Sequence, residues 1–293
     1  MIDLHCHILP GLDDGAPDLA TSLEMARAFV ADGVSVVVCT PHILPGLYHN
    51  TADGIRAAVT ELQAVLDREG IPLRLLPGAD NHIAPDCAAQ LRNGQMLAIA
   101  DTRYVLIEPP HHVVPQRMEA VFFDLQVAGY VPILTHPERL RWIDSQYDLI
   151  RRLADAGVWI QITAGSLAGS FGSRAQYWAE RMLDEGYAHV LATDAHDVRI
   201  RKPDLSRGWD LAARRIGKEE AHHLVSTRPK GVLDNCSSAD LPHPQSRHHQ
   251  RLRHDGAESA GLESEKAEPC RAAASNHRGV RGLAGRLRRL LTE

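Results

Sequence analysis

The sequence predicts an α/β protein, a distorted TIM-like barrel of seven β/α units, (β/α)7, over residues 1–235. Three observations predict it. Seven short apolar runs alternate with amphipathic helical segments. Strands separated by helical crossovers must be parallel, with right-handed connections. Almost every apolar run ends on an imidazole or a carboxylate, and in a barrel all those ends open on one face. An open doubly wound sheet is the competing arrangement.

The first strand starts at Met1 and runs into His5-Cys6-His7. Positions i and i+2 of a strand share a side, so His5 and His7 project together and Cys6 projects oppositely. Asp18 caps a helix carrying Leu19, Leu23, Ala26 and Val30 at helical spacing, and Gly33 stops it. Val34 to Thr40 is a buried strand ending at Pro41-His42. A second helix covers 52–69. Leu73 to Leu76 is a strand ending at Gly78-Ala79-Asp80, and Tyr104 to Ile107 is one ending at Glu108. Met118, Val121, Phe122 and Leu125 mark the next helix, closed by Gly129. Val131 to Leu134 leads to Thr135-His136. A helix over 146–156 and Gly157 precede the strand Val158 to Ile162. A helix over 173–185 and Gly186 precede His189 to Ala192, which leads to Thr193-Asp194-Ala195-His196. Two last helices fit 204–216 and 218–226.

From Cys236 the periodicity disappears and Pro, Ser, His, Arg, Gly and Ala dominate. Such a segment buries too little apolar surface to offset its ordering entropy. Residues 236–293 therefore read as a low-complexity, disordered tail, with a short basic helix at Leu283 to Leu291.

Composition narrows the function. An apolar fraction of 44% supplies a core, and with aromatics at 5% that core is aliphatic. The formal charge of -5 with interspersed signs leaves no electrostatic footprint for nucleic acid. No apolar stretch reaches the roughly 18 residues of a membrane span, and the N-terminus lacks a signal-peptide pattern. The 5 cysteines are odd in number and lack paired spacing, which points to reduced thiols and a cytoplasmic location.

His5, His7, His42, Asp80, Glu108, His136, Asp194 and His196 are the strand-end residues. Imidazoles and carboxylates without thiolate suit Mn²⁺, Fe²⁺ or Zn²⁺, and the set is too large for one ion. His49, His82, His111, His112, His189, His222 and His223 lie off the strand ends or stand singly, and read as surface or core histidines. Arg139 follows His136, and Arg199 and Arg201 follow His196. A polymetal site edged by guanidinium groups suits a phosphate ester.

The runs Met1 to Gly15, Thr40-Pro41-His42, Thr135-His136-Pro137-Glu138-Arg139 and Thr193-Asp194-Ala195-His196 resemble the PHP (polymerase and histidinol phosphatase) superfamily. More narrowly they resemble its CpsB/CapC branch, bacterial manganese-dependent protein tyrosine phosphatases linked to capsule and exopolysaccharide synthesis. The resemblance covers about residues 1–235. It implies Mn²⁺ at two or three positions, with Fe²⁺ or Zn²⁺ as alternatives. One ion would take His5, His7, Asp80 and Asp194. A second would take Asp80, Glu108 and His136, and a third Asp14, His42 and His196. Arg139 and Arg201 would hold the phosphate. One departure stands out: where that branch often has Gly-Gln-Glu, this chain has Gly78-Ala79-Asp80. Asp is one methylene shorter, and His82 is the alternative donor.

The resemblance implies phosphotyrosine hydrolysis by a metal-activated hydroxide, acting on a bacterial tyrosine kinase or its tail. A PHP phosphatase of a small metabolite such as histidinol phosphate would share every ligand, and a non-catalytic metal-bound interaction module is a further alternative. Cysteine-dependent phosphatases need an arginine six positions after the nucleophile. Here those positions hold Leu12, Pro45, Asn93, Pro242 and Asn276, so thiolate catalysis is excluded.

Overall fold

The barrel closes between its first and last strands. In the computed structural model, which describes residues 1–247, β1 (Ile2–Cys6) pairs in parallel with β2 (Val36–Cys39), and β2 pairs with β5 (Arg74–Pro77). A second run of pairings joins β3 (His42–Leu44), β6 (Asp80–His82), β7 (Tyr104–Glu108), β8 (Val131–Thr135), β9 (Trp159–Thr163) and β10 (Val190–Ala192). A bridge between Cys6 and Ala195 returns to β1. There the His7 N–H donates to the Ala195 carbonyl and the Asp194 N–H to the His5 carbonyl, each at 2.9 Å.

The two runs are one barrel because two strands are broken in the middle. Pro41 has no N–H for the ladder and separates β2 from β3. Gly78 separates β5 from β6. A Cβ there would lie 2.7 Å from Val38 Cγ1, so only glycine lets these strands approach. Bonds from the Gly78 N–H to the Cys39 carbonyl (3.0 Å) and from the Asp80 N–H to the Pro41 carbonyl (3.2 Å) carry the pairing across. Seven barrel strands result among the described residues, as the alternation predicts. The third runs on past the expected end at Leu76 to His82, and the second past Thr40 to Leu44. The latter then turns into an antiparallel pair with β4 (Tyr48–His49).

The crossovers are α1 (Leu19–Ala31), α2 (Ala52–Arg68), α3 (Cys87–Arg92), α4 (Met118–Val127), α5 (Ile143–Asp155), α6 (Ala164–Leu167) and α7 (Gly172–Glu185), and α8 (Leu205–Ile216), α9 (Lys218–His222) and α10 (Arg228–Leu233) follow the last strand. Asp18 caps α1 as its sequence position predicts, accepting the Thr21 N–H at 2.8 Å. The last helix does not stop at 226. A π-helical turn over His223–Thr227 leads into α10, whose second residue is Pro229, where a missing N–H costs nothing.

Leu4, Val38, Leu106, Ile133 and Val190, from five different strands, meet in one apolar cluster. Val232, Cys236 and Leu241 join it. Packing therefore continues beyond the expected boundary at 235. Arg228, fully buried, ties the segment down: its Nε donates to the Pro242 carbonyl and its Nη2 to Glu220 Oε1, both at 2.6 Å. The rest of the expected disordered tail, with the basic helix at Leu283 to Leu291, lies outside the described residues. No helix among the described residues is long and apolar enough to cross a membrane.

Candidate metal centre

All nine sequence-predicted donors meet at the C-terminal ends of the strands. His5 and His7 leave β1 with their Nε2 atoms 3.1 Å apart. Asp194 Oδ1 lies 3.4 Å from His5 Nε2 and 3.3 Å from His7 Nε2, and Asp80 Oδ2 lies 3.5 Å from His5 Nε2. His42 Nδ1 approaches Asp80 Oδ2 at 3.7 Å and Glu108 Oε2 at 3.5 Å. His136 Nε2 sits 3.7 Å from Glu108 Oε1 and 4.0 Å from Asp80 Oδ2. Asp14 Oδ1 lies 3.5 Å from His42 Nε2 and 3.3 Å from His196 Nε2. Ligand atoms of His7, Asp14, His42 and His196 lie within 4.8 Å of one another, and the same holds for His5, His7 and Asp80. His5, His136 and Asp194 form another such group, as do His42, Asp80 and Glu108.

The hydrogen bonds behind these atoms fix which nitrogen is free. His5 Nδ1 donates to Gln161 Oε1 at 2.8 Å, and His7 Nδ1 donates to Asp13 Oδ2 at 2.6 Å. His196 Nδ1 donates to the Asp194 carbonyl at 3.1 Å. With Nδ1 carrying the proton, each neutral ring turns an Nε2 lone pair inward. When both rings are neutral, the lone pairs of His5 and His7 face each other with carboxylate oxygens on the same point, and a positive charge there, a proton on His7 or a metal ion, satisfies the arrangement. Ligands about 2.1 Å from a tetrahedral or octahedral ion sit roughly 3.0–3.5 Å from each other, the spacing of His5, His7, Asp80 and Asp194 and of Asp14 with His42 and His196 here. Buried atoms without a hydrogen-bond partner tell the same story: both Asp80 oxygens, Asp194 Oδ1, His42 Nδ1 and His196 Nε2. Buried polar groups are rarely left so. The residues present thus fit a group of divalent ions.

The electrostatics agree. Burial lowers His5 to about 3 and drives His136 well below its ordinary range, so both rings are neutral, the form that can ligate a metal. Burial also works to lower His7, but the charges and hydrogen bonds of Asp13 and Asp194 outweigh it and hold that ring up at about 10. The carboxylates draw positive charge to this point. Burial, reinforced by the Glu108 charge, pushes Asp80 well above the usual carboxylate range, a cost that a bound cation removes.

Arg139 and Arg201 close one side, and both donate to Asp194 Oδ2, Arg201 from Nη2 at 2.5 Å. Neither guanidinium forms an ion pair with Asp197 or Asp204, although the Arg201 backbone N–H donates to Asp197 Oδ2 at 3.4 Å. Arg199 is exposed and stays outside the cluster. The Phe171 ring lies beneath both guanidinium groups, 4.4 Å from Arg139 and 5.8 Å from Arg201.

A family model described as capsular polysaccharide synthesis, CpsB/CapC, matches residues 1–234. The chain belongs to the CpsB/CapC family. It is 41% identical over 247 residues to the tyrosine-protein phosphatase YwqE of Bacillus subtilis, covering 84% of this chain and 97% of that one. It is 25% identical over 244 residues to the tyrosine-protein phosphatase CpsB of Streptococcus agalactiae serotype V, covering 80% and 99%. A crystal structure from work on YwqE and on CpsB of Streptococcus pneumoniae, described as unique metal-dependent tyrosine phosphatases, superposes with a TM-score of 0.79 at 38% identity. It covers 84% of this chain and 99% of that one.

Within this CpsB/CapC chain several residues at the site escape a strand-end reading. Asp13 and Gln161 hydrogen-bond the outer Nδ1 atoms of His7 and His5 from behind the cluster. His111, read as a surface or core histidine, places Nε2 3.2 Å from Glu108 Oε1. Phe171 lies in the turn before α7, where no sequence signal marks it. His82 joins none of the ligand groups, whereas Asp80 joins two. Gly15 also gains a reason: a Cβ there would sit 2.2 Å from the His7 carbonyl oxygen.

Proposed function

We propose that this chain hydrolyses phosphotyrosine on protein, with Mn²⁺ as its ion and a tyrosine kinase of capsule or exopolysaccharide synthesis, or that kinase's tail, as its cytoplasmic substrate. The observation that carries the reading is the convergence of nine imidazole and carboxylate side chains beside two arginines on one carboxylate oxygen. His5, His7, Asp80 and Asp194 would hold one ion, Asp80, Glu108 and His136 another, and Asp14, His42 and His196 a third. When bound, such ions supply Lewis acidity that acidifies water and neutralises charge on a phosphate.

The chain's own residues do the rest. Arg139 and Arg201 present planar forks that match phosphate oxygens. Phe171 holds the two forks on one side of the site. Gln161 and Asp13 keep His5 and His7 in the tautomer that turns Nε2 inward. A phenol leaves with a pKa of about 10, so phosphotyrosine needs less protonation of its leaving group than an alkyl phosphate does. Thiol chemistry has no support: Cys6, Cys39, Cys87 and Cys236 are buried. Burial raises the Cys87 thiol to about 11 and those of Cys6 and Cys39 further.

The test is a substrate panel on the Mn²⁺-loaded protein. Phosphotyrosyl peptides should be turned over with kcat/KM at least tenfold above phosphoseryl peptides, histidinol phosphate and nucleotides. A preference for a metabolite phosphate overturns the substrate assignment.

A further inference from the structure

We propose that His111 is a protein ligand of the ion held at Glu108 and His136. It rests on the reading of this site as a metal centre. His111 follows Glu108 through Pro109-Pro110, and proline fixes φ, so the tether has few conformations. The next connection pins the same loop. The Arg141 N–H donates to the His111 carbonyl at 2.9 Å, and the Trp142 indole N–H donates to the Pro110 carbonyl at 3.0 Å. The imidazole is thereby set against the cluster, Nε2 3.2 Å from Glu108 Oε1 and its ring 5.4 Å from that of His136.

One donor atom each from Glu108, His111 and His136 lies within 4.8 Å of the others, the same compactness as the remaining groups. Asp80 is a poorer third donor for this position. Its Oδ2 is 3.5 Å from His5 and 3.7 Å from His42 but 4.0 Å from His136, and it groups with His5 and His7 and with His42 and Glu108 but not with His136. Without His111 the Glu108–His136 position has two compact protein donors. With it, the position has two imidazoles and a carboxylate, a set suited to Mn²⁺, Fe²⁺ or Zn²⁺. The His111 side chain is 30% exposed, which places this position at the solvent edge and makes it the one to exchange its ion first.

A histidine that merely donates to Glu108 gives the same distance, so the experiment separates ligand from orienting group. Full-length protein, His111→Gln and the exposed-neighbour control His112→Gln are loaded with Mn²⁺ and dialysed against metal-free buffer, and ions per chain are counted. His111→Gln should retain one ion fewer, or bind its weakest ion at least tenfold less tightly, while His112→Gln matches the parent. In ¹⁵N-histidine-labelled, Zn²⁺-loaded protein, the His111 Nε2 resonance should be that of a deprotonated, metal-bound nitrogen and should move on chelation. Unchanged ion content, or an Nε2 that keeps its proton, overturns the proposal. A parent that binds no divalent ion overturns the metal reading with it. A parent that binds ions and hydrolyses phosphotyrosyl peptide, with His111→Gln equal to it in ion content, overturns only the role of His111.

Discussion

Asp13 Oδ2 accepts a hydrogen bond from His7 Nδ1 at 2.6 Å, and the same oxygen accepts the His42 backbone N–H at 2.9 Å. One carboxylate thus sets the tautomer of one ligand and the backbone position of another. Partners of this kind are worth about 10–100-fold in metal affinity. Asp13→Ala should weaken Mn²⁺ binding by that factor in a calorimetric titration. Asp13→Asn, whose amide oxygen still accepts, should lose less. Equal affinities for all three proteins would show that His7 orients itself.

The arginine pair should separate phosphate recognition from metal binding. Arg139→Lys keeps the charge but loses the fork, and should lower kcat/KM on a phosphotyrosyl peptide by about 100-fold. Phe171→Leu removes the aromatic face under both guanidinium groups, a contact worth about 1 kcal/mol, and should cost up to roughly tenfold. Ions per chain should stay at the parental count in both. A loss of metal in either variant would place these residues in the wrong role.

Thiol reagents should do little. The described cysteines are buried, burial raises the thiols of Cys6, Cys39 and Cys87, and no arginine stands six residues after any cysteine. Iodoacetamide at neutral pH should leave at least most of the turnover. A stoichiometric loss that follows alkylation of one cysteine would contradict a metal-based reaction.

Acid should destabilise the fold partly through His189, which stacks on Trp159 with ring centroids 5.1 Å apart. Desolvation, then the Arg228 charge, lowers this imidazole to about 3. The ring is neutral in both states above its unfolded value near ~6.5, so its contribution is complete there. Between about 6.5 and 3 the unfolded chain binds a proton that the folded chain refuses, and stability falls by about 1 kcal/mol per pH unit. His189→Asn should flatten the pH dependence of urea unfolding over that window. A slope identical to the parent's would put the acid sensitivity elsewhere.

The strand-end donors were legible because a parallel barrel converts local order into spatial convergence. His5, His42, Glu108, His136 and Asp194 each close an apolar run, and the fold brings those ends together. Residues that act from behind the donors left no such trace. Asp13 is two positions from Gly15 in an ordinary loop, Gln161 sits inside a buried strand, and Phe171 reaches the arginines from a turn. The Asp80 strand was half hidden because Gly78 and Pro41 interrupt two apolar runs, making one long strand look like a short one followed by loop. The segment after Asn235 misled for a compositional reason. Cys236 and Leu241 are lone apolar residues among polar ones, so their burial against Val232 has no periodicity to announce it. The partner that holds them, Arg228, is a charged residue that burial statistics place at the surface.

The central claim is that these nine side chains hold divalent ions on which turnover depends. The direct measurement is ions per chain by elemental analysis, taken with phosphotyrosyl-peptide hydrolysis before chelation, after it, and after Mn²⁺ is returned. The account predicts two or three ions per chain, loss of turnover with loss of metal, and recovery of both together. Hydrolysis that persists at full rate in protein stripped of metal would contradict it.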